Sequence, residues 1–408
     1  MSSPCRQSQH PGRSHRPGAS KALLVTSVAL TALLAACSSS GSSKSTGSDQ
    51  AATTAATSAA IAQAQAFVNQ YEAAPQNIVA TQALPEAPPR GDTFGYLVDP
   101  TPSNNETAAA VKAAVQAIGW HYLAFDFDPA NPATLNAAAE SALAKHSTVV
   151  GVSSISSSLF SASVDKQYLQ AKVSIEVMGT GPGEVLDPPF FGPSTGTAGY
   201  ATNALAGKVI ANWYVANSRG RYGVLLEHVP EYAILAGFTD PFTATVKSLC
   251  PKCELKELDL TGAQVDGGQI PSALVTELRA NPSIKYLVFD FGAFTSGIYA
   301  ALQSAGLSYV RVAGEGPETT DLQALGNANK QGGWTGYSTI YYGYNSVDIA
   351  IRKVMGLPAT TINLQPTQLI TSANVGDITE WNKPANALAQ FEALWKVPTT
   401  PCTLVCNG

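Results

Sequence analysis

Short apolar and β-branched runs alternate with helical stretches from Thr93 to Ala313, and this pattern constrains the fold more than any other feature. Strand, helix and strand in succession build a parallel sheet through right-handed crossovers. Two of the runs, 94–98 and 148–152, are almost wholly apolar, as in strands buried on both faces. The sequence therefore predicts an α/β fold of doubly wound parallel sheets.

The alternation falls into two units. In the first unit the predicted strands are 94–98, 121–127, 148–152 and 173–178, and the predicted helices are 106–118 and 133–145. A segment rich in glycine and proline, 179–196, then breaks the periodicity and indicates a crossing between domains. In the second unit the predicted helices are 198–217, 232–249, 270–280 and 295–305, and the predicted strands are 222–226, 254–260, 284–290 and 309–313. We therefore expect two parallel-sheet domains joined by a hinge, with a ligand in the cleft between them.

The N-terminus has the features of an export signal. Residues 1–21 carry only positive charge, and 22–36 are nearly all apolar or small, a length that fits a signal peptide better than a membrane span. The tetrapeptide that ends at Cys37 resembles the bacterial lipobox, in which the cysteine is lipidated and becomes the mature N-terminus. We expect an extracytoplasmic lipoprotein anchored to the cell membrane; an ordinary cleaved signal with a chance cysteine is the alternative.

Domain boundaries follow from these patterns. Residues 1–36 are assigned to the signal peptide, and 37–92 to a tether and an N-terminal helix. The N-terminal lobe is 93–190, with about 315–335 returning to it, and the C-terminal lobe is 191–314, with about 336–360. Residues 361–408 form a C-terminal segment with a cysteine pair.

Two close cysteine pairs fit an oxidising compartment: Cys250 with Cys253, and Cys402 with Cys406. Two local disulfides are the simplest interpretation, although four cysteines allow three connectivities and could also bind zinc or perform redox chemistry. A redox pair needs a helix N-terminus to lower a thiolate pKa, whereas Cys250 follows a predicted helix. This pair therefore closes a helix-to-strand turn.

Composition excludes several classes of protein. The 408 residues are 45% hydrophobic and 13% charged, too apolar for a disordered chain. The 24 basic and 29 acidic residues give a net charge of −5 with no basic stripe, which argues against nucleic acid as a partner. A mean hydropathy of +0.03 without a second long apolar run argues against a polytopic membrane protein.

Polar and aromatic residues follow the predicted strands, where parallel sheets bind ligands. The candidate ligand-binding residues are Asp99, Asn104, Asp126, Ser153, Glu231, Tyr232, Asp290, Phe291, Glu315 and Tyr337. No arginine is placed among them to hold an anion, so carboxylates, amides and aromatic faces favour a neutral polyol, although an amine would also fit. The alternative for each polar residue is a helix N-cap.

No catalytic motif stands out. The three histidines after residue 37 occur without HExxH, and no GxSxG is present. The 126–128 DxD sequence is too common at strand ends to indicate a metal, and the glycines of 179–183 fit a hinge better than a phosphate loop, because Pro182 lacks an amide donor. We expect no enzymatic activity, cofactor or metal.

From about Thr93 to Trp395 the chain resembles the type I periplasmic sugar-binding proteins, the ribose-binding-like receptors of ABC importers. The similarity lies in the first strand–helix unit, at 95–98 and 118–120, and in a ligand-domain unit at 281–288 and 297–306, followed by the crossing 312–316. The resemblance implies two hinged lobes, a small-molecule ligand and a membrane permease as partner, in a monomer.

The chain also departs from that family. Its members commonly have an Asn-Asp pair where Phe291 and Gly292 lie here, so Asp290 is the nearest carboxylate. Glu315 replaces an aspartate of the crossing, and Ser103 begins a polar run in place of an aromatic pair. A receptor role tolerates these changes better than sugar binding does.

We therefore expect an extracytoplasmic receptor that closes on a small neutral polar ligand, a sugar or polyol, and delivers it to an ABC permease. Two alternatives remain at this stage. One is a ligand sensor that feeds a membrane signalling protein, and the other is a receptor for an aromatic or amine ligand.

Overall fold

A computed structural model describes residues 48–129, 131–179, 184–192, 198–358 and 365–399. The predicted signal peptide, the lipidation site Cys37, and Cys402 and Cys406 lie outside the described residues. Within these ranges no helix is both long enough and apolar enough to cross a membrane.

The described chain begins with helix α1, followed by the first of two sheets. Helices of this region are α1 (Ser48–Val68), α2 (Pro102–Ala117), α3 (Pro132–Ala144) and α4 (Ala162–Ala171). Strands are β1 (Thr93–Val98), β2 (His121–Asp126), β3 (Val149–Ser153), β4 (Ser174–Met178) and β5 (Phe190–Phe191). The sheet is parallel throughout, in the order β2-β1-β3-β4-β5.

The second sheet has six strands. Its helices are α5 (Ala198–Ser218), α6 (Ala236–Leu249), α7 (Gly262–Asp266), α8 (Ile270–Ala280), α9 (Ile298–Ser304) and α10 (Thr319–Gly326). Its strands are β6 (Gly223–His228), β7 (Leu255–Asp259), β8 (Ile284–Phe289), β9 (Arg311–Glu315), β10 (Gly333–Thr335) and β11 (Leu369–Ile370). The order is β11-β10-β9-β8-β6-β7, and only β11 is antiparallel to its neighbour. Two last helices follow, α11 (Thr339–Val354) and α12 (Ala387–Trp395).

Local sequence explains why the first-sheet helices begin where they do. The Thr101 side chain accepts a hydrogen bond from the Asn104 amide before α2, and Asn131 caps α3 through the amide of Ala133. Each cap precedes a proline, whose missing N–H is not needed in the first turn. Central strands β1 and β3 are buried along nearly their whole length, as their apolar runs predict.

The predicted fold class is confirmed: two doubly wound sheets, one wholly parallel and one mostly parallel. We call the first sheet with α2, α3, α4, α11 and α12 the first lobe. The second sheet with α1 and α5 to α10 is the second lobe. The segment rich in glycine and proline, predicted over 179–196, contains one strand, because Phe190 and Phe191 form β5 at the edge of the first sheet.

The prediction for the returning segments is wrong. Residues 315–335 do not return to the first lobe, because β10 pairs with β9 and extends the second sheet. Residues 339–354 do not join the second lobe, because α11 packs on α2, β3 and β4 of the first. Tyr341, Val347 and Ile351 of α11 enter the core formed by α2 and β1. The apolar face of α11 therefore determines that the chain crosses to the first lobe after β10.

Cys250 and Cys253 form a disulfide immediately after α6, as predicted for a helix-to-strand turn. The amide of Cys253 also donates to the carbonyl of Cys250, so the bridge closes one tight turn before β7. Both cysteines pack at the edge of a core cluster in the second lobe.

Candidate functional site

Carboxyl groups converge at the carboxyl edge of the second sheet. Glu227 pairs with Phe289 across β6 and β8, and Phe289 pairs with Gly314 across β8 and β9. This register brings Asp290, directly after β8, next to Glu315 at the end of β9. Because the strands are parallel, their ends meet at the same edge, where ligands bind in open α/β sheets.

Asp290 is fully buried and only half satisfied. Its Oδ2 lies 2.8 Å from Nδ1 of His228 and accepts a hydrogen bond of 3.3 Å from the Val229 amide. Its Oδ1 has no hydrogen-bond partner within the described residues. Burial raises the pKa of Asp290, and the hydrogen bond and charge of His228 oppose that effect.

Glu315, like Glu227, has no hydrogen-bond partner for either carboxylate oxygen in the described part of the chain, and it is 1% exposed. Burial, and then the charge of Asp290, hold its pKa well above the usual range. Glu227 is buried beside Asp290, and the same two causes raise its pKa. Buried polar groups normally have partners, so these oxygens mark a place where another molecule can bind.

A row of aromatic rings borders the carboxyl groups. Phe291 lies edge-on to Phe294 at 6.4 Å and to Tyr337 at 5.8 Å, and Tyr337 lies 6.2 Å from Tyr342. At the other end, Tyr232 stacks on Phe294 at 6.0 Å and is 45% exposed. The row therefore runs from the second lobe, through the crossing after β10, to α11 of the first lobe.

The first lobe contributes a second polar patch. Glu176 of β4 is fully buried; its Oε2 accepts a 2.8 Å hydrogen bond from Ser346 of α11, while its Oε1 has no partner among the described residues. Burial holds the pKa of Glu176 well above its usual range. The hydroxyl of Tyr342, also on α11, is buried and likewise unpartnered within the described ranges. Ser153, at the end of β3, is buried with its hydroxyl 3.4 Å from that of Ser154.

The two lobes meet at Gly179, which follows β4. A Cβ at this position would lie 2.5 Å from the Tyr342 hydroxyl and 2.8 Å from Cδ1 of Ile234 in the second lobe. The residue also has a φ of +76°, which favours glycine. Glycine is therefore required both by the backbone and by the close approach.

The structure brings together only part of the predicted set. Asp290, Phe291, Glu315 and Tyr337 lie at the second-sheet edge and in the aromatic row, Tyr232 lies at the end of that row, and Ser153 lies at the first-sheet edge. Whether these residues touch a ligand stays a prediction.

The other candidates have structural partners or face solvent. Asp99 accepts hydrogen bonds from Thr101 and Asn104, and Asn104 in turn accepts one of 2.8 Å from the Tyr96 hydroxyl. Asp126 is exposed on the edge strand β2. Glu231 is exposed and accepts a 3.2 Å hydrogen bond from the Gly262 amide at the start of α7.

Sequence reasoning missed Glu176 and Tyr342. For Glu176 a signal existed, because a lone carboxylate interrupts the otherwise uncharged predicted strand 173–178. Tyr342 gave no signal, since its role depends on α11 packing against the first lobe.

No protein-family model matches the chain, and no curated protein matches it either. Several solved structures do. The 5-methylthioribose transporter solute-binding protein of Thermotoga lettingae, in complex with 5-methylthioribose, matches with a TM-score of 0.60 at 16% identity, over 76% of this chain and 99% of that one. An ABC transporter solute-binding protein of Agrobacterium vitis with bound allitol matches with a TM-score of 0.58 at 16% identity, over 71% and 98%. An ABC transporter solute-binding protein of Mycobacterium smegmatis with bound glycerol matches with a TM-score of 0.58 at 15% identity, over 72% of this chain and 98% of that one.

The chain has the type I periplasmic binding protein fold. Nearly the whole length of each of these proteins is covered, so the match includes both lobes. In the type I fold, the carboxyl groups and aromatic rings described above occupy the strand ends that face between the lobes.

Proposed function

We propose that this protein is the extracytoplasmic solute-binding receptor of an ABC importer and that it binds a small neutral polar ligand, a sugar or polyol. Glu315 carries the proposal. A buried carboxyl group with two unsatisfied oxygens, at a strand end between two lobes, is suited to accept hydrogen bonds from ligand hydroxyls.

Charge supports a neutral ligand over an anion. Anionic ligands are usually held by arginine or by a helix N-terminus. In the described residues the lysine and arginine ion pairs are Lys256–Glu277 and Arg352–Asp348, and neither includes the carboxyl groups of the site. Apart from His228, which is paired with Asp290, the described part of the site offers acceptors and rings, with no lysine or arginine to neutralise an acid.

The aromatic row supports a ring-shaped or carbon-chain ligand. Rings such as Phe291 and Tyr337 give an apolar face against the C–H groups of a sugar or polyol, while carboxyl groups bind its hydroxyls. The solved neighbours bind compounds of this type: 5-methylthioribose, allitol and glycerol.

Hinge closure is the proposed mechanism. A ligand that touches both Glu315 and the patch of Glu176 and Tyr342 favours the closed state, because only that state makes both sets of contacts. No chemical change of the ligand is part of this role. A lipid anchor at Cys37 would keep the receptor beside its permease.

The test uses the full chain, purified in detergent, and isothermal titration with glycerol, allitol, 5-methylthioribose, glucose and galactose. We expect at least one of them to bind, and Glu315→Gln to weaken its binding about tenfold or more through the loss of the carboxyl group that meets the ligand hydroxyls. Glu380→Gln, an exposed carboxylate elsewhere in the second half of the chain, is the matched control and should bind as the unaltered chain does.

Two outcomes would contradict the proposal. If none of the five compounds binds and native mass spectrometry finds an anion co-purified with the protein, the ligand class is wrong. If a compound binds but Glu315→Gln leaves its affinity unchanged, Glu315 is not a ligand-binding residue.

A further inference from the structure

Three side chains with metal-binding atoms meet beside the proposed ligand site. His228 ends β6, and Glu257 and Asp259 lie on the neighbouring strand β7. One ring nitrogen of His228 and one carboxylate oxygen from each acid all lie within 4.8 Å of one another. In the register of the two strands His228 pairs with Asp259, and Glu257 lies two residues earlier on the same face of the sheet.

The imidazole is already oriented for a cation. Its Nδ1 is 2.8 Å from Oδ2 of Asp290, which is fully buried and also receives the Val229 amide. With Nδ1 held by a carboxylate, Nε2 is the nitrogen left to bind an ion. Histidine ligands in metal sites commonly have this arrangement, in which a second carboxylate fixes the tautomer and the direction of the ring.

The two acids have no other role in the described structure. Neither the Glu257 nor the Asp259 side chain takes part in a hydrogen bond or ion pair there, although both lie close to His228, a buried residue. Their carboxylates are exposed on the edge strand β7, so an ion can reach them from solvent. Two carboxylates that lie close together repel each other, which costs free energy. A divalent cation bound between them and the oriented imidazole would offset this repulsion.

We propose that His228, Glu257 and Asp259 form a binding site for one divalent transition-metal ion, with Zn²⁺ as the best fit. Imidazole nitrogen and carboxylate oxygen are both Zn²⁺ ligands, and water would complete the coordination. The site is separate from the proposed receptor function and does not depend on it. No local sequence motif marks this site, because its ligands are on two strands about thirty residues apart.

The experiment is isothermal titration of Zn²⁺ into the full chain after EDTA treatment and removal of the chelator. The variant is Glu257→Gln/Asp259→Asn, which removes two ligands that have no other partners and so leaves folding intact. Asp377→Asn, an exposed acid remote in sequence, is the control. The unaltered chain, the double variant and the control have the same histidines and cysteines near the termini. A difference in Zn²⁺ binding between them therefore reports on the proposed site.

We expect the unaltered chain and the control to bind one Zn²⁺ more per chain than the double variant, or to bind it at least about tenfold more tightly. Asp290→Asn should weaken Zn²⁺ binding in the same direction, because it removes the carboxylate that orients His228. A Co²⁺ visible spectrum that is present in the unaltered chain and lost in the double variant would support the site independently. Equal stoichiometry and affinity in the unaltered chain and the double variant would overturn the proposal.

Discussion

Glu315 and Asp290 show how position within one sheet edge changes the chemistry of a carboxyl group. Asp290 receives hydrogen bonds from His228 and Val229, which offset part of the cost of burial. Glu315, one strand away, receives none from the described residues. A carboxyl group therefore pairs with a histidine after β8, whereas the carboxyl group at the end of β9 has no partner among the described residues.

The titration of Glu315 should reduce stability as the pH rises. Its pKa in the folded chain is raised by burial, so the folded state keeps a proton that the unfolded chain loses. The contribution of this group is fully present below its unfolded pKa of about 4.5 and is lost as pH increases toward the folded value. We expect urea unfolding of Glu315→Gln to show a smaller loss of stability between pH 5 and pH 7 than the unaltered chain shows. Glu380→Gln should leave the slope unchanged, and equal slopes for Glu315→Gln would contradict the assignment.

Helix α11 contains a buried ion pair that connects it with two other segments of the first lobe. Asp348 accepts a 2.8 Å hydrogen bond from Nε of Arg352 and one of 2.9 Å from Nε1 of Trp395 on α12. Arg352 also donates to the carbonyl of Gln82, in the segment that precedes β1. One pair of charges therefore joins α11, α12 and the N-terminal segment.

Removing one partner of this pair should be strongly destabilising. Asp348→Ala leaves the guanidinium of Arg352, which is 1% exposed, without its counter-charge. We expect a loss of about 3–5 kcal/mol in the free energy of unfolding, measured by urea denaturation. Asp348→Ala/Arg352→Ala should lose less than the sum of the two single changes, since both charges are gone. Strict additivity would show that the pair does not act as a unit.

The two lobes approach each other at Gly179. The residue follows β4 of the first lobe and leaves no room for a side chain between Tyr342 and Ile234. A change here alters how closely the lobes approach without touching the carboxyl groups at the second-sheet edge.

Gly179→Ala should therefore favour a more open arrangement. We expect small-angle X-ray scattering to give a larger radius of gyration for this variant than for the unaltered chain. Gly356→Ala is a matched control, because Gly356 also has a positive φ of +66°, but a Cβ added there would meet no atom within 4 Å. If Gly356→Ala increases the radius of gyration as much as Gly179→Ala does, backbone strain rather than the lobe contact is responsible.

Local sequence patterns predicted the fold class and most of the strands and helices between 93 and 313, but not α4 or any element after β9. Strands 94–98 and 284–290 and helix 270–280 were predicted within one or two residues, because burial on both faces and helical spacing are local patterns. The turn closed by Cys250 was predicted for the same reason, since its partner is three residues away.

The lobe that each returning segment joins, and the polar groups that lack partners among the described residues, become evident from the folded structure. The pairing of β10 with β9 and the packing of α11 on α2 depend on contacts between residues far apart in the chain. The same is true of the patch around Glu176 and of the group formed by His228 with Glu257. Local periodicity fixes what each segment is, whereas the burial of long-range neighbours fixes where it lies.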